Sequence, residues 1–252
     1  MSLFSRTLCV AMLAALGLAS SLATAAPTAV DAGKPLPRFD LLKESTHHYL
    51  RFMQSGESSV PADIWTRTVR FEQGAVRITQ RWDASAPALT RLIDSWFDKD
   101  TLRPRSHQRV SERDGQKTVE GFLFASDKIT GMPDLADNTQ KALQVPSPEP
   151  TFNFETDIET LQTLPLAAGY EASINFYHPG GATPPQRYLF KVSGSATIAG
   201  PAGPVDCWVV TTDYNRPDMP LSTFWFAKGT QLMVRQEATL PGGKKLIKAL
   251  ID

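Results

Sequence analysis

The chain has 252 residues, and its 26 Lys and Arg balance 26 Asp and Glu. Such neutrality argues against nucleic acid as a partner, which selects for a basic stripe and a high pI. Of the two cysteines, Cys9 lies in an N-terminal apolar run and Cys207 stands alone beyond it, so neither an intrachain disulfide nor a cysteine-rich metal site is expected.

Residues 1–25 read as a secretory signal. Arg6 supplies the positive end, Leu8 to Leu22 is an apolar Ala/Leu-rich run, and Ala23-Thr24-Ala25 is a small-x-small cleavage site. A cut after Ala26 would put Pro27 directly beyond the scissile bond, so the cut is expected after Ala25. The run is short of the roughly 20 residues a spanning helix needs, and no later stretch is longer, so no transmembrane segment is expected after signal cleavage. The expected location is the periplasm, or secretion. Residues 26–38, with Pro27, Pro35 and Pro37, read as a flexible lead-in to a single β-rich domain over 39–252.

From Phe39 to about Phe124 short alternating runs are separated by turn signals, the grammar of an antiparallel meander. Strands are expected at 47–54, 64–71, 75–82, 88–97, 105–113 and 118–124. Glu72-Gln73-Gly74 and Asp114-Gly115 read as tight hairpin connections. Val76, Ile78 and Trp82 then share one face of a strand and Arg77, Thr79 and Arg81 the other. Residues 126–164 break the pattern and join two halves, 39–125 and 165–252. Pro146, Pro148 and Pro150 forbid a helix or central strand there. This connection reads either as a lid or as a passive linker, with one helical turn expected around Asn138 to Leu143. Thr156-Asp157-Ile158-Glu159 has the spacing of a capping box, so a short helix is expected from Thr156, apolar along Ile158, Leu161 and Leu164.

Strands resume at 170–177, 186–198, 205–213, 222–228, 231–240 and 244–251. Gly200-Pro201-Ala202-Gly203-Pro204 and Pro241-Gly242-Gly243 are their clearest turns. The pattern Trp96-Phe97-x-Lys99-x-Thr101 recurs as Trp225-Phe226-x-Lys228-x-Thr230. It records either a duplicated half or a hairpin grammar used twice. The fold class expected is mostly β: an antiparallel meander sheet, curved or a partly open barrel, with one or two short helices.

Phe97-Asp98-Lys99-Asp100-Thr101-Leu102-Arg103-Pro104 resembles an element of bacterial exported proteins of the domain-of-unknown-function 3108 type. So do Leu164-Pro165-Leu166-x-x-Gly169-Tyr170, Val192-x-Gly194, Gly203-x-Val205-Asp206-Cys207-Trp208-Val209-Val210, Phe224-Trp225-Phe226 and Met233-Val234-Arg235-x-Glu237, in the family's order. The resemblance implies a secreted or periplasmic antiparallel sheet, similar to the lipoprotein-localisation carriers, which cup an acyl chain in a curved sheet closed by short helices. It carries over no catalytic residue, since the family has no established activity.

Candidate chemistry is sparse. Arg103, Arg105, His107, Arg109 and Arg113 are all odd-numbered and in a regular strand line one face for about 30 Å. They would suit phosphate or carboxylate head groups, or form a solvated outer face that discourages edge pairing. Tyr214 and Arg216, in the Asp213-Tyr214-Asn215-Arg216-Pro217 loop, form a candidate binding tip or a plain turn. Trp225 and the other aromatics at strand spacing line an acyl pocket or fill a core. His47 and His48 point to opposite faces, His107 and His178 are isolated, and no metal or cofactor is expected. Cys207, between Val205 and Val209 on one face, reads as a buried structural thiol. The expected function is a non-enzymatic periplasmic binding or carrier module for an apolar or amphipathic, lipid-like ligand. The alternative is a cell-envelope assembly or scaffolding protein that binds a protein or glycan. An enzyme would require two titratable groups converging in a cleft with perturbed pKa values.

Overall fold

Strand-period alternation runs through nearly the whole chain, and the hydrogen-bonding demand of its backbone is met by a single sheet of sixteen strands. The computed structural model describes residues 26–85, 88–218 and 220–252. The signal segment read at residues 1–25, with Arg6 and Cys9, lies outside them.

The first run of strands is β1 (Thr28–Val30), β2 (Ser45–Ser55), β3 (Ser58–Glu72), β4 (Ala75–Ser85), β5 (Ala88–Asp98), β6 (Pro104–Arg113), β7 (Gln116–Phe124), β8 (Lys128–Gly131), β9 (Gln144–Pro146) and β10 (Phe152–Asn153). A 3-10 turn at Phe154–Thr156 leads into helix α1 (Asp157–Gln162). Then come β11 (Glu171–Tyr177), β12 (Gln186–Gly200), β13 (Gly203–Thr212), β14 (Ser222–Ala227), β15 (Met233–Thr239) and β16 (Lys245–Leu250). Strands β2 to β9 are neighbours in chain order, as are β11 to β16. The antiparallel pairing of β16 with β2 joins the two runs into one open, mostly antiparallel sheet.

Each of the twelve expected strands is present, with ends moved by at most six residues. Gln73-Gly74 and Asp114-Gly115 make two-residue hairpin turns in which every residue has positive φ, at 52°, 73°, 50° and 77°, as the twist of the flanking strands requires. Val76 and Ile78 are buried while Arg77 and Arg81 point outward and pair with Asp94 and Asp83.

Four short strands were not expected. Within the residues read as a flexible lead-in, Thr28–Val30 pairs in parallel with β11, and Val30, Ala32 and Leu36 are buried. Regular structure therefore begins ahead of Phe39; three prolines had masked a segment whose apolar residues reach the core. The 126–164 connection is likewise structured, with β8 on β7, β9 on β8 and β10 on β11. Pro146 lies on β9, the outermost strand of its side, where a missing N–H is tolerated. Arg187 ties both segments down, reaching Asp31 at 2.7 Å and Glu149 at 2.5 Å. The helical turn expected at 138–143 is instead a series of turns, because Asn138 bonds the backbone of Gly121 and Met132 at 2.9–3.0 Å.

The helix starts where expected but is capped differently. Thr156 makes no side-chain cap. Its hydroxyl donates to Asn153 O at 3.0 Å, Ile158 N–H is taken by Asp157 Oδ1 at 2.8 Å, and Glu159 turns to the sheet. Glu159 accepts from Arg67 Nε at 2.7 Å, a buried ion pair that outcompetes the exposed cap. Ile158, Leu161 and Leu164 enter a core shared with Tyr49, Ile78, Phe97, Ile174, Phe190, Val210 and Phe224. One cluster drawing on strands from both runs means the sheet wraps around α1, which occupies its inner face.

Candidate functional site

Residues paired across neighbouring strands project to the same side of a sheet. Gln236 of β15 stands opposite Lys248 of β16, Lys248 opposite Arg51 of β2, and Arg51 opposite Asp63 of β3. A row of polar side chains therefore crosses the inner face. Trp65 and Trp82 pair one step further on. The 3-10 turn, His178 and Tyr214 close over this row and leave a cleft of about 290 Å³ lined by Arg51, Trp65, Trp82, Phe154, Glu155, Asp157, His178, Tyr214, Gln236, Leu246 and Lys248.

The cover is pinned from the sheet. Glu155 O accepts from Gln80 Nε2 at 2.7 Å and from Arg67 Nη2 at 3.2 Å, while its carboxylate accepts from Arg109 Nη1 at 3.1 Å. Asn153, just before the turn, has its side-chain amide 3.0 Å from His107 Nδ1. The His178 ring lies 3.7 Å from that of Phe154, centroid to centroid, and its Nε2 meets Tyr188 Oη at 3.1 Å.

Charge in the cleft is unevenly satisfied. Arg51 is held by Asp63 through two bonds of 2.6 and 2.5 Å, and its guanidinium lies 4.4 Å from the Trp82 ring centroid. Lys248 has its ammonium 4.5 Å from the Trp65 centroid and no carboxylate partner among the described residues; burial pushes its pKa down to about 8, against the pull of Asp157. Burial pushes Asp157 up to about 6, and Tyr214 Oη donates to its Oδ2 at 3.4 Å. Burial also raises the Tyr214 phenol, with the Asp157 charge adding to it, and lowers His178. Two side-chain atoms near the cleft are buried without a partner, Gln236 Oε1 and Trp82 Nε1.

The arginine stripe is broken at its start: His107, Arg109 and Arg113 keep one face in continuous register, but Arg103 and Arg105 do not share it. A β-bulge opposite Trp96 and Phe97 puts two residues of β6 where one is expected, and the alternation slips. Arg103 lies in the preceding loop, exposed. Arg105 is exposed and paired with Asp98 at 2.5 Å, and Arg113 is exposed at the far hairpin. His107 is wholly buried, and Arg109 turns inward to Glu120 at 2.6 Å and to Glu155. Of the loop pair, Tyr214 enters the cleft at φ 50°, whereas Arg216 is exposed in the turn. Trp225 pairs with Val209 and Arg235 on the outer face, opposite in sense to buried Phe224 and Phe226.

His107 Nδ1 and Ser95 Oγ lie 2.8 Å apart, a spacing that suits a base and a nucleophile. Both residues are wholly buried and neither lines the cleft, and burial pushes the histidine down to about 3. The pair is a structural bond. Cys207 is buried, with its pKa pushed up to about 11 by burial, so its thiolate is not available at neutral pH. Two larger depressions, about 460 and 680 Å³, lie on the outer face of β3–β6 and beside residues 35–43, and none of the unpartnered buried atoms lines either of them.

Sequence reasoning placed Trp65 and Trp82 among the aromatics of a candidate pocket but missed Arg51, Asp157, Gln236 and Lys248 as parts of one site. A signal was present: Arg51 between Tyr49 and Met53, Arg67 between Trp65 and Val69, and Lys248 between Leu246 and Leu250 each put a cation on an otherwise apolar face.

A family model described as a protein of unknown function, DUF3108, matches residues 49–251. No curated protein matches the chain in sequence. Among solved structures, the crystal structure of a beta-barrel-like protein of domain of unknown function DUF1849 from Brucella abortus is similar at TM-score 0.52 and 11% identity, covering 82% of this chain and 95% of that one. A DUF1089 family protein from Pseudomonas aeruginosa matches at TM-score 0.39 and 13% identity, over 75% and 95% of the two chains. The first likeness is one of fold.

Proposed function

The chain belongs to the DUF3108 family of proteins of unknown function, and we propose that this member is an exported binding module that holds a small amphipathic molecule in the cleft beneath the 3-10 turn. The observation that carries the reading is the cleft itself: about 290 Å³ of space inside the sheet, with the aromatic faces of Trp65, Trp82, Phe154 and Tyr214 beside the uncompensated Lys248. Apolar walls with a few convergent polar groups are what small-ligand sites present, and this volume is at the lower end of their range, about 300 to 1,000 Å³. A whole lipid asks for more, because Phe97, Phe190, Phe224 and Phe226 already fill the rest of the interior. The reading is therefore narrower than a lipid carrier: a small amphiphile, or one end of a larger one. Export rests on the basic residue, apolar run and Ala23-Thr24-Ala25 site of the N-terminus.

Protein recovered from the periplasm of a producing cell is expected to begin at Ala26 and to carry a small organic molecule in native mass spectrometry. Bare polypeptide, together with no binding of short alkyl probes by tryptophan fluorescence, would sink the reading. The scaffolding alternative would have to use a sheet edge or the exposed Arg103, Arg105 and Arg113, since Arg109 is turned inward to Glu120. An acid–base enzyme is favoured by one observation, that Asp157 and Lys248 share the cleft with pKa values displaced toward neutrality. It predicts chemical change of the bound molecule on incubation, where a binding module returns it intact.

A further inference from the structure

Two polar side chains of the cleft are left without partners, and strand register holds them side by side. Gln236 and Lys248 are direct cross-strand neighbours on β15 and β16, so their side chains leave the same face about 5 Å apart at the Cβ atoms. Gln236 is only 6% exposed, and its Oε1 has no hydrogen-bond donor. The two ends of a carboxamide are interchangeable by rotation, so the group can turn either an acceptor or two N–H donors into the cleft. Lys248 offers an ammonium that lies 4.5 Å from the centroid of the Trp65 ring and has no carboxylate in salt-bridge contact among the described residues. The other cation of the lining, Arg51, is already engaged twice by Asp63. A half-buried ammonium without a counter-ion and a buried amide without a donor cost free energy until something supplies their bonds.

We propose that Lys248 and Gln236 form the head-group subsite of the cleft, taking the carboxylate or phosphate end of an amphipathic ligand whose apolar body lies against Trp65, Trp82 and Tyr214. This rests on the binding reading and adds the sign and place of the ligand's charge. An ammonium is a point charge that accepts an anion from a range of directions, and an adjacent amide adds a directed donor. The charged groups that bear on Lys248 are Arg51 from β2, Arg67 from β3, and Glu155 and Asp157 from the cover. Arg67 is neutralised by Glu159, and Glu155 by Arg109. Asp157 is thus the one acid of the set without a cation partner, and it opposes an incoming anion whenever it is ionised. Affinity for a carboxylate is expected to be greatest below the Asp157 pKa of about 6 and to fall again as Lys248 loses its proton near 8.

The test uses four probes that share one tail: octanoate, octyl phosphate, octan-1-ol and octylammonium, titrated into the purified protein by calorimetry and tryptophan fluorescence. Both anions are expected to bind at least about tenfold tighter than the alcohol, the worth of one charge-assisted bond, and the tighter of the two identifies the head group. Lys248→Met should bring octanoate down to about the level of octan-1-ol while changing the alcohol far less, and Lys248→Arg should keep the preference. Circular dichroism and a thermal scan establish that each variant is folded. Gln236→Leu should weaken octanoate severalfold without creating affinity for octylammonium. For the wild type, octanoate affinity should decline from pH about 5.5 to about 9, where the carboxylate stays ionised. Equal binding of octanoate and octan-1-ol, or an anion preference that survives Lys248→Met, overturns the subsite and leaves the binding module standing. Binding of none of the four overturns the module and the subsite together.

Discussion

Asp157 is a cleft residue whose charge depends on its surroundings. It is 9% exposed at the head of α1, and burial raises its pKa from the ordinary 3.8 to about 6. An acid whose folded value lies above its unfolded value stabilises the protein fully below the unfolded value and loses that contribution as pH rises through the folded one. The window is therefore pH 3.8 to about 6, and the loss across it is up to about 3 kcal/mol at roughly 1.4 kcal/mol per pKa unit. Asp157→Asn keeps an oxygen for Ile158 N–H and removes the charge. It should match the wild type in urea unfolding at pH near 4 and exceed it by about 2–3 kcal/mol at pH 7. An equal difference at both pH values would show that the ionised carboxylate is not what burial penalises. None of this is legible in Thr156-Asp157-Ile158-Glu159, whose spacing announces a cap. The lure of Glu159 away from the helix end is Arg67, distant in sequence and adjacent only in the fold.

Among the elements, the repeated Trp-Phe-x-Lys-x-Thr pattern turns out to mark one device used twice. At each copy a β-bulge falls between Trp and Phe, at Trp96/Phe97 and Trp225/Phe226. Asp98 N–H donates to Arg103 O at 2.9 Å and Leu102 N–H to Asp98 O at 3.1 Å; Ala227 N–H donates to Leu232 O at 2.9 Å and Gln231 N–H to Ala227 O at 2.7 Å. Leu102 and Gln231 are both buried with φ near 50°. The pattern could be read from the residues, but not the bulge it encodes, and that bulge turned Arg105 off the face that His107 and Arg109 share. The loop after β8 illustrates the opposite case, in which the constraint is purely spatial. A Cβ on Gly131 would fall 1.9 Å from the carbonyl oxygen of Gln140, so Gly131→Ala must push the loop off the sheet. It should lower stability by about 1–3 kcal/mol in denaturant titrations and open the Gly121–Asn138 bonds to hydrogen exchange. Unchanged protection at Gly121 would mean the loop has another way to settle.

For the molecule as a whole, the decisive contact is that of the last strand with the second. β16 is an interior strand between β15 and β2, so the two runs of the meander become one sheet only when it is in place. Deleting residues 245–252 leaves two long unpaired edges and removes Lys248 from the cleft, and it should abolish cooperative unfolding and the native tryptophan spectrum. A truncated chain that still unfolds in one sharp transition would show that the halves are stable alone. Among the described residues no helix is long and apolar enough to cross a membrane. The sequence by itself determined twelve of the sixteen strands, the inner and outer faces of β4, the two tight hairpins and the place of the helix, because side-chain period and turn chemistry act over a few residues. Only the tertiary structure decided which charges meet. The cleft is assembled from β2, β3, β4, β15, β16, the 154–157 cover, His178 and Tyr214, and whether its Lys or Asp finds a counter-ion depends on register across strands nearly two hundred residues apart, which local pattern does not contain.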